Sequence, residues 1–237
     1  GTQQQLRKYS LKLQKIQIIL ISHLHGDHFF GLPGLLSTMH LLGRNKKLHV
    51  FGPPGLEDLM KAILAAGGHP LQFDITFQTV EPGPKKLIFE DRLIAIHAFA
   101  LKHRIPTIGY RIDEKPKLLN LDKEAIKAAG LRIEDLPKLK AGISIERDGK
   151  KYNYKKFTLP AQATYSYAYC SDTKPSPNYL EAIDGVDLLY HEATFTQQHL
   201  ERAKSTFHST AQQAGQQATN ANCKYLLLGH FSSGLWR

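Results

Sequence analysis

Apolar residues fall along this chain in short runs, and the period of each run predicts its element. Residues 16–21 (Ile-Gln-Ile-Ile-Leu-Ile) are apolar at five of six positions and rich in β-branching, the pattern of a buried strand. Thr2 is placed to cap a short helix through Gln3 to Tyr9 ahead of it. Beyond it, Phe29 to Leu42 carries Leu35, Leu36, Met39, Leu41 and Leu42, a buried helix with Pro33 in its first turn. A short strand at 48–51 stops at Gly52-Pro53-Pro54-Gly55. An amphipathic helix follows over 56–66, with Leu56, Leu59, Met60, Ile63 and Leu64 on one side. Strands are predicted at about 71–79, 86–90, 93–99 and 107–112, then at 163–170, 186–190 and 225–228. Helices are expected near 178–183, over 197–204 and over 210–222, the last capped by Ser209 or Thr210. This loose alternation predicts a layered α/β protein.

The pattern changes at 113–160. Asp122 to Ala129 reads as a helix ended by Gly130, but the remainder is rich in lysine and poor in large core residues. Lys138, Lys140, Lys150, Lys151, Lys155 and Lys156 lie here, the last four interleaved with Tyr152, Tyr154 and Phe157. Flexible cations beside aromatic rings suit a phosphate backbone with exposed bases, and a solvated hairpin is the plainer alternative. The segment is read as an arm inserted into a single domain spanning 1–237.

Composition narrows the class. Thirty-one Lys and Arg against 21 Asp and Glu give a net charge of +10 over 237 residues, which favours polyanionic partners without requiring one. No apolar run approaches 18 residues and no secretion signal is visible, so no membrane association is expected. Two cysteines, Cys170 and Cys223, make no disulfide framework, and a reducing, cytoplasmic setting follows as the expectation. The chain opens on Gly1-Thr2-Gln3 and ends on Trp236-Arg237, from which terminal parts are expected to be lacking.

The candidate chemistry sits directly after the first strand, in His23-Leu24-His25-Gly26-Asp27-His28. Imidazoles mixed with a carboxylate suit zinc and its neighbours, whereas magnesium and calcium sites are mostly oxygen. Gly26 lies where the chain must turn sharply off the strand. The stretch alone does not close a structural zinc site, so a catalytic centre completed by later His and Asp residues is expected. His103, held extended before Ile105-Pro106, suits that role, with a plain hydrogen-bonding histidine as the alternative. Polar residues also follow apolar strands at Asp172, His191-Glu192 and His230. His40, His49, His69, His97 and His199 lack such context.

The stretch at 23–28 matches the HxHxDH signature and resembles that of the metallo-β-lactamase superfamily. Tyr169-Cys170-Ser171-Asp172-Thr173, His191-Glu192-Ala193-Thr194-Phe195, His208-Ser209-Thr210 and Gly229-His230-Phe231-Ser232-Ser233 extend the likeness to the tRNase Z family, zinc endoribonucleases of tRNA 3′ ends. The resemblance implies a four-layer αββα sandwich and two zinc ions per subunit. One ion would be held by His23, His25 and His103, the other by Asp27, His28 and His230, with Asp172 bridging. It further implies a water activated by the metal pair, Asp27 as general base, and His208 oriented by Glu192 as the acid for the leaving 3′ oxygen. Precursor tRNA would be the substrate, gripped by the arm of a homodimer. The arm here lacks the Gly-Pro-rich segment frequent in bacterial-type arms. Two other functions fit parts of the pattern: a small-ester or small-phosphodiester hydrolase of the same fold, which needs neither the arm nor the HEATF and HST segments, and a noncatalytic tRNA-binding subunit.

Overall fold

The structure, a computed structural model, describes residues 1–67, 71–147 and 149–233. His69 and the segment 234–237, both noted in the sequence, lie outside these residues. Helix α1 (Thr2–Lys8) starts one residue earlier than expected, with Gly1 at its N-cap and the terminal amine 3.0 Å from Gln4 Oε1. Strand β1 (Ile18–Leu20) leads into the histidine-rich stretch, whose second half forms a single helical turn, α2 (Gly26–Phe29). Then come α3 (Gly31–Leu41), β2 (Leu48–Gly52), α4 (Leu56–Ala66), β3 (Ile75–Thr79), β4 (Lys86–Glu90), β5 (Ile94–Ala100) and β6 (Ile108–Glu114). The middle of the chain forms β7 (Asn120–Leu121), α5 (Lys123–Ala128), α6 (Leu136–Lys140), β8 (Ile145–Arg147), β9 (Lys150–Tyr152) and β10 (Thr158–Leu159). The last part runs β11 (Ser166–Cys170), α7 (Leu180–Ile183), β12 (Leu188–Glu192), α8 (Leu200–Thr206), α9 (Ala211–Asn220) and β13 (Tyr225–Gly229).

Among the described residues β1, β2 and β3 form a parallel sheet, and a six-stranded sheet has the order β13-β12-β11-β6-β5-β4. Each sheet carries helices on its outer side. Leu35, Leu36 and Met39 of α3 and Leu56 and Met60 of α4 pack with Leu48 and Val50 of β2 in one core. Ala218 of α9, Tyr179 and Ile183 pack with Ala168, Cys170 and Leu189 in the other. The sheets meet through Phe51 of β2 against Phe89 of β4, and the Tyr110 hydroxyl donates to the Ile21 carbonyl at 2.7 Å. The burial of α4 is narrower than its sequence period suggests: Leu56 and Met60 are buried, while Leu59 and Ile63 remain over a third exposed.

The chain divides into two compact units, one of residues 1–89, 96–112 and 167–237 and the other of residues 90–95 and 113–166. The second unit has its own small core of Leu139, Ile145 and Phe157, against which Tyr152 and Tyr154 pack. Phe157 is buried in that core, so the expectation that it offers a face to exposed bases is corrected, while Tyr152 and Tyr154 pack against the core and keep part of their surface exposed. All six lysines singled out there are exposed. Asp122 caps α5 by accepting from Ala125 N at 3.0 Å, and Gly130 supplies the positive φ that ends it.

Candidate metal centre

Parallel register brings the chemistry to one edge. Strands β11, β12 and β13 run side by side with Cys170 opposite His191 and Glu192 opposite Gly229. Asp172, Glu192 and His230 consequently leave the sheet at the same carboxyl-terminal edge, where ligands gather in open α/β sheets. His23 and His25 leave the end of β1, and the α2 turn adds Asp27 and His28. Backbone hydrogen bonds from Ile108 N to Ser22 O and from Leu101 N to Thr107 O, both 2.9 Å, fix the loop that carries His103. Gly26 does not have positive φ. Its lack of a side chain matters because the Phe30 ring lies over it, with Cε2 only 2.2 Å from where a Cβ would stand.

The side chains from these separate segments converge. Ligand atoms of His23, His25, His103 and Asp172 lie within 4.8 Å of one another, as do those of Asp27, His28 and His230. His25 Nδ1 is 3.1 Å from His23 Nε2 and 3.3 Å from His103 Nε2. Asp172 faces both groups. Its Oδ2 is 3.6 Å from His23 Nε2 and 3.7 Å from His103 Nε2, while Oδ1 is 3.3 Å from His28 Nε2 and 3.4 Å from His230 Nε2. Asp27 Oδ2 is 3.3 Å from His28 Nε2 and 3.7 Å from His230 Nε2. Apart from His208, considered below, none of the other histidines falls into such a group among the described residues. His40, His49 and His199 bond instead to Gln72 N, Thr76 Oγ1 and Thr196 Oγ1.

The outward nitrogens are held, which sets each ring's orientation. His23 Nδ1 is 3.0 Å from Ser22 Oγ, His103 Nδ1 donates to Phe207 O at 3.0 Å, His28 Nδ1 is 3.4 Å from Ser171 Oγ, and His230 Nδ1 is 2.8 Å from Thr194 Oγ1. Burial pushes His23 down to about 3, reinforced by the neighbouring His28, and burial also lowers His103, so both keep an inward lone pair. Burial alone would raise Asp172, but His28 and His230 hold its carboxyl well below the usual range.

This donor set fits metal binding. His25 Nδ1 lies 3.1 Å from one imidazole nitrogen and 3.3 Å from another, a crowding that a cation between them resolves. The buried His28 Nε2 makes no aligned hydrogen bond. One carboxylate presents an oxygen to each group.

Beside the cluster, Glu192 is fully buried and accepts four hydrogen bonds. Oε1 takes Thr173 N at 2.8 Å and His208 Nδ1 at 2.7 Å, while Oε2 takes Thr194 N at 3.1 Å and Thr194 Oγ1 at 2.6 Å. Burial depresses His208, but the hydrogen bond to Glu192 together with the charges of Glu192 and Asp172 outweighs it and raises the imidazole above its ordinary value. Candidate ligand atoms of His208, Asp172 and His230 also lie within 4.8 Å of one another. The sequence reading passed over Thr194, whose hydroxyl joins Glu192 to His230, along with Ser22, Ser171 and the Phe207 carbonyl. The HEATF segment contained the signal for Thr194, but a threonine inside a motif does not reveal which groups its hydroxyl will join.

Two apposed sheets with outer helices and a His/Asp cluster at the strand ends define a metal-dependent hydrolase of the β-lactamase superfamily, and the β-lactamase superfamily domain matches residues 1–231. The chain is 42% identical over 234 residues to a ribonuclease Z of Parabacteroides distasonis, covering 98% of this chain and 77% of that protein. With a ribonuclease Z of Phocaeicola vulgatus it shares 43% identity over 98% of this chain and 76% of the relative. The crystal structure of human tRNase Z, short form, superposes with a TM-score of 0.70 at 27% identity, over 100% of this chain and 80% of that one. The chain belongs to the ribonuclease Z family.

Proposed function

We propose that the chain removes the 3′ trailer from precursor tRNA by zinc-dependent phosphodiester hydrolysis, leaving a 3′-hydroxyl on the tRNA and a 5′-phosphate on the trailer. The observation that carries this reading is the division of Asp172's two oxygens between two ligand groups, with the Glu192–His208 pair alongside. His23, His25 and His103 would hold one zinc and Asp27, His28 and His230 the other. Such a pair of ions, when bound, lowers the pKa of a water and neutralises charge on the attacked phosphate.

The protein groups do the rest. Asp27, with its side chain 69% exposed, can accept a hydrogen bond from the attacking water while it serves as ligand, and so acts as general base. The Glu192 carboxylate holds the His208 Nδ1 proton, which leaves Nε2 to deliver a proton to the departing 3′ oxygen. Because this oxygen leaves as a neutral hydroxyl, the proton from His208 balances the one Asp27 takes from water.

A folded tRNA exceeds the centre in size, so affinity must come from remote phosphates. We assign that role to Lys138, Lys140, Lys150, Lys151, Lys155 and Lys156, acting in a homodimer in the cytoplasm. Among the described residues no helix is long and apolar enough to cross a membrane. The deciding experiment couples metal analysis to cleavage of a precursor tRNA with mapped ends. Two zincs per chain and a single cut at the trailer junction are expected. Rapid turnover of a small ester without that cut would favour the small-substrate hydrolase, and tRNA binding without cleavage the noncatalytic subunit.

A further inference from the structure

Phe207 stands out in its backbone. It ends α8 with φ 61° and ψ 42°, the left-handed region that glycine fills without strain and a bulky residue rarely enters. Its carbonyl accepts from His103 Nδ1 at 3.0 Å, and the next residue is His208. A glycine would supply the same carbonyl and turn at no steric cost, so the backbone alone does not account for the aromatic side chain.

The ring is partly exposed, and Lys174 Nζ lies over it, 4.7 Å from the centroid. Lys174 follows Asp172 by two residues. Its segment is stitched to that of His103, with Lys174 N donating to Lys102 O and Lys102 N to Thr173 Oγ1, both at 3.0 Å. Exposed Arg104 directly follows His103 in the chain. An aromatic ring and two cations thus flank His103, Asp172 and His208 from neighbouring loops. This combination suits a nucleotide, whose base stacks while its phosphate takes the cations.

We propose that Phe207, Lys174 and Arg104 form the subsite for the last nucleotide of the mature tRNA, the one that carries the leaving 3′ oxygen. The assignment rests on the function proposed above. If His208 protonates that oxygen, the nucleoside bearing it lies on the His208 side of the centre. Its base would stack on Phe207 and its 5′ phosphate would pair with Lys174 and Arg104. Stacking accepts any base, since every base has an aromatic face, so the subsite would require a base at this position without dictating which.

The test compares two precursors that differ only in whether the last tRNA nucleotide carries a base, using the zinc-loaded protein, Phe207→Gly, Phe207→Tyr and Lys174→Ala. Loss of the base should lower kcat/KM of the parent about 5- to 150-fold, the range of base–aromatic stacking. Phe207→Gly should lose a similar factor on the normal precursor and no more than about twofold further on the abasic one. Phe207→Tyr should restore most of the base dependence, and Lys174→Ala should slow both precursors alike. Equal slowing of both precursors by Phe207→Gly would mean that the residue only holds its loop, and would overturn the stacking assignment. Parent cleavage indifferent to the base would also overturn it, while leaving the tRNA-processing reading intact. No cleavage of either precursor by the parent would overturn both.

Discussion

Replacing Glu192 by Gln removes one charge from a fully buried position while nearly preserving shape. The parent carboxylate satisfies four donors: two backbone amides, the Thr194 hydroxyl and the His208 imidazole. An amide has one acceptor oxygen, so even its better orientation, with the amide nitrogen toward Thr194 and that hydroxyl turned to accept, leaves Thr194 N facing an N–H. The stability cost of one such unmatched donor is about 1–3 kcal/mol, which for a chain of this length lowers Tm by about 2–12 °C. The kinetic effect is separate. His208 loses the partner that raises it, and since its protonated form is the acid, the alkaline limb of the pH–rate profile moves to lower pH. Above that limb, kcat should fall about 10- to 150-fold, the rate equivalent of a hydrogen bond to a charged group worth about 1.5–3 kcal/mol. A histidine raised in the folded state contributes stability below its unfolded pKa, and this is lost as pH rises through the folded pKa. The charge part of the Tm deficit should therefore fade toward high pH, while the part from the buried donor persists. An unchanged alkaline limb, with kcat within twofold of the parent, would refute the Glu192–His208 assignment.

Asp27→Ala should lower precursor cleavage about 10²- to 10⁴-fold, as expected for loss of a general base, and reduce bound zinc under mild chelation; full metal content with near-parent cleavage would contradict its double role. Changing Lys150, Lys151, Lys155 and Lys156 together to Gln should weaken tRNA binding and flatten its salt dependence by about 0.7–0.9 in log–log slope per lost phosphate contact, while hydrolysis of a small phosphodiester is unaffected. A binding curve equal to the parent's at two salt concentrations would exclude these lysines as phosphate contacts. Leu139→Ala, in the core of the second unit, should cost about 2–5 kcal/mol and expose residues 113–166 to limited proteolysis, with small-substrate hydrolysis retained; parent-like protease resistance would count against an independent core.

The sequence revealed most of the framework because its strands are short, strongly apolar runs with clear punctuation. Helix α4 begins and ends where expected, and Thr210 caps α9 by accepting from Gln213 N. The residues of the centre were legible for a related reason, as His and Asp residues placed just beyond apolar strands. Less was visible where one residue's role depends on contacts distant in sequence. Gly26 looked like a turn residue and instead makes room for Phe30. Tyr152, Tyr154 and Phe157 looked like surface rings because a three-residue core leaves no periodic trace. Phe207 gave no sign of its left-handed backbone, since helical propensity ranks residues and says nothing about which carbonyl an end must aim.

The groups of the centre are drawn from almost the whole length of the chain, from His23 to His230. Protein chains are made from the amino end, and His230 lies just past β13, the strand that follows every other element of the six-stranded sheet. A nascent chain that has emerged as far as β12 holds His23, His25, Asp27, His28, His103 and Asp172 but lacks the final imidazole. A chain stalled before β13 would hold a ligand group that lacks one imidazole, and should bind metal more weakly than a chain that has emerged past His230.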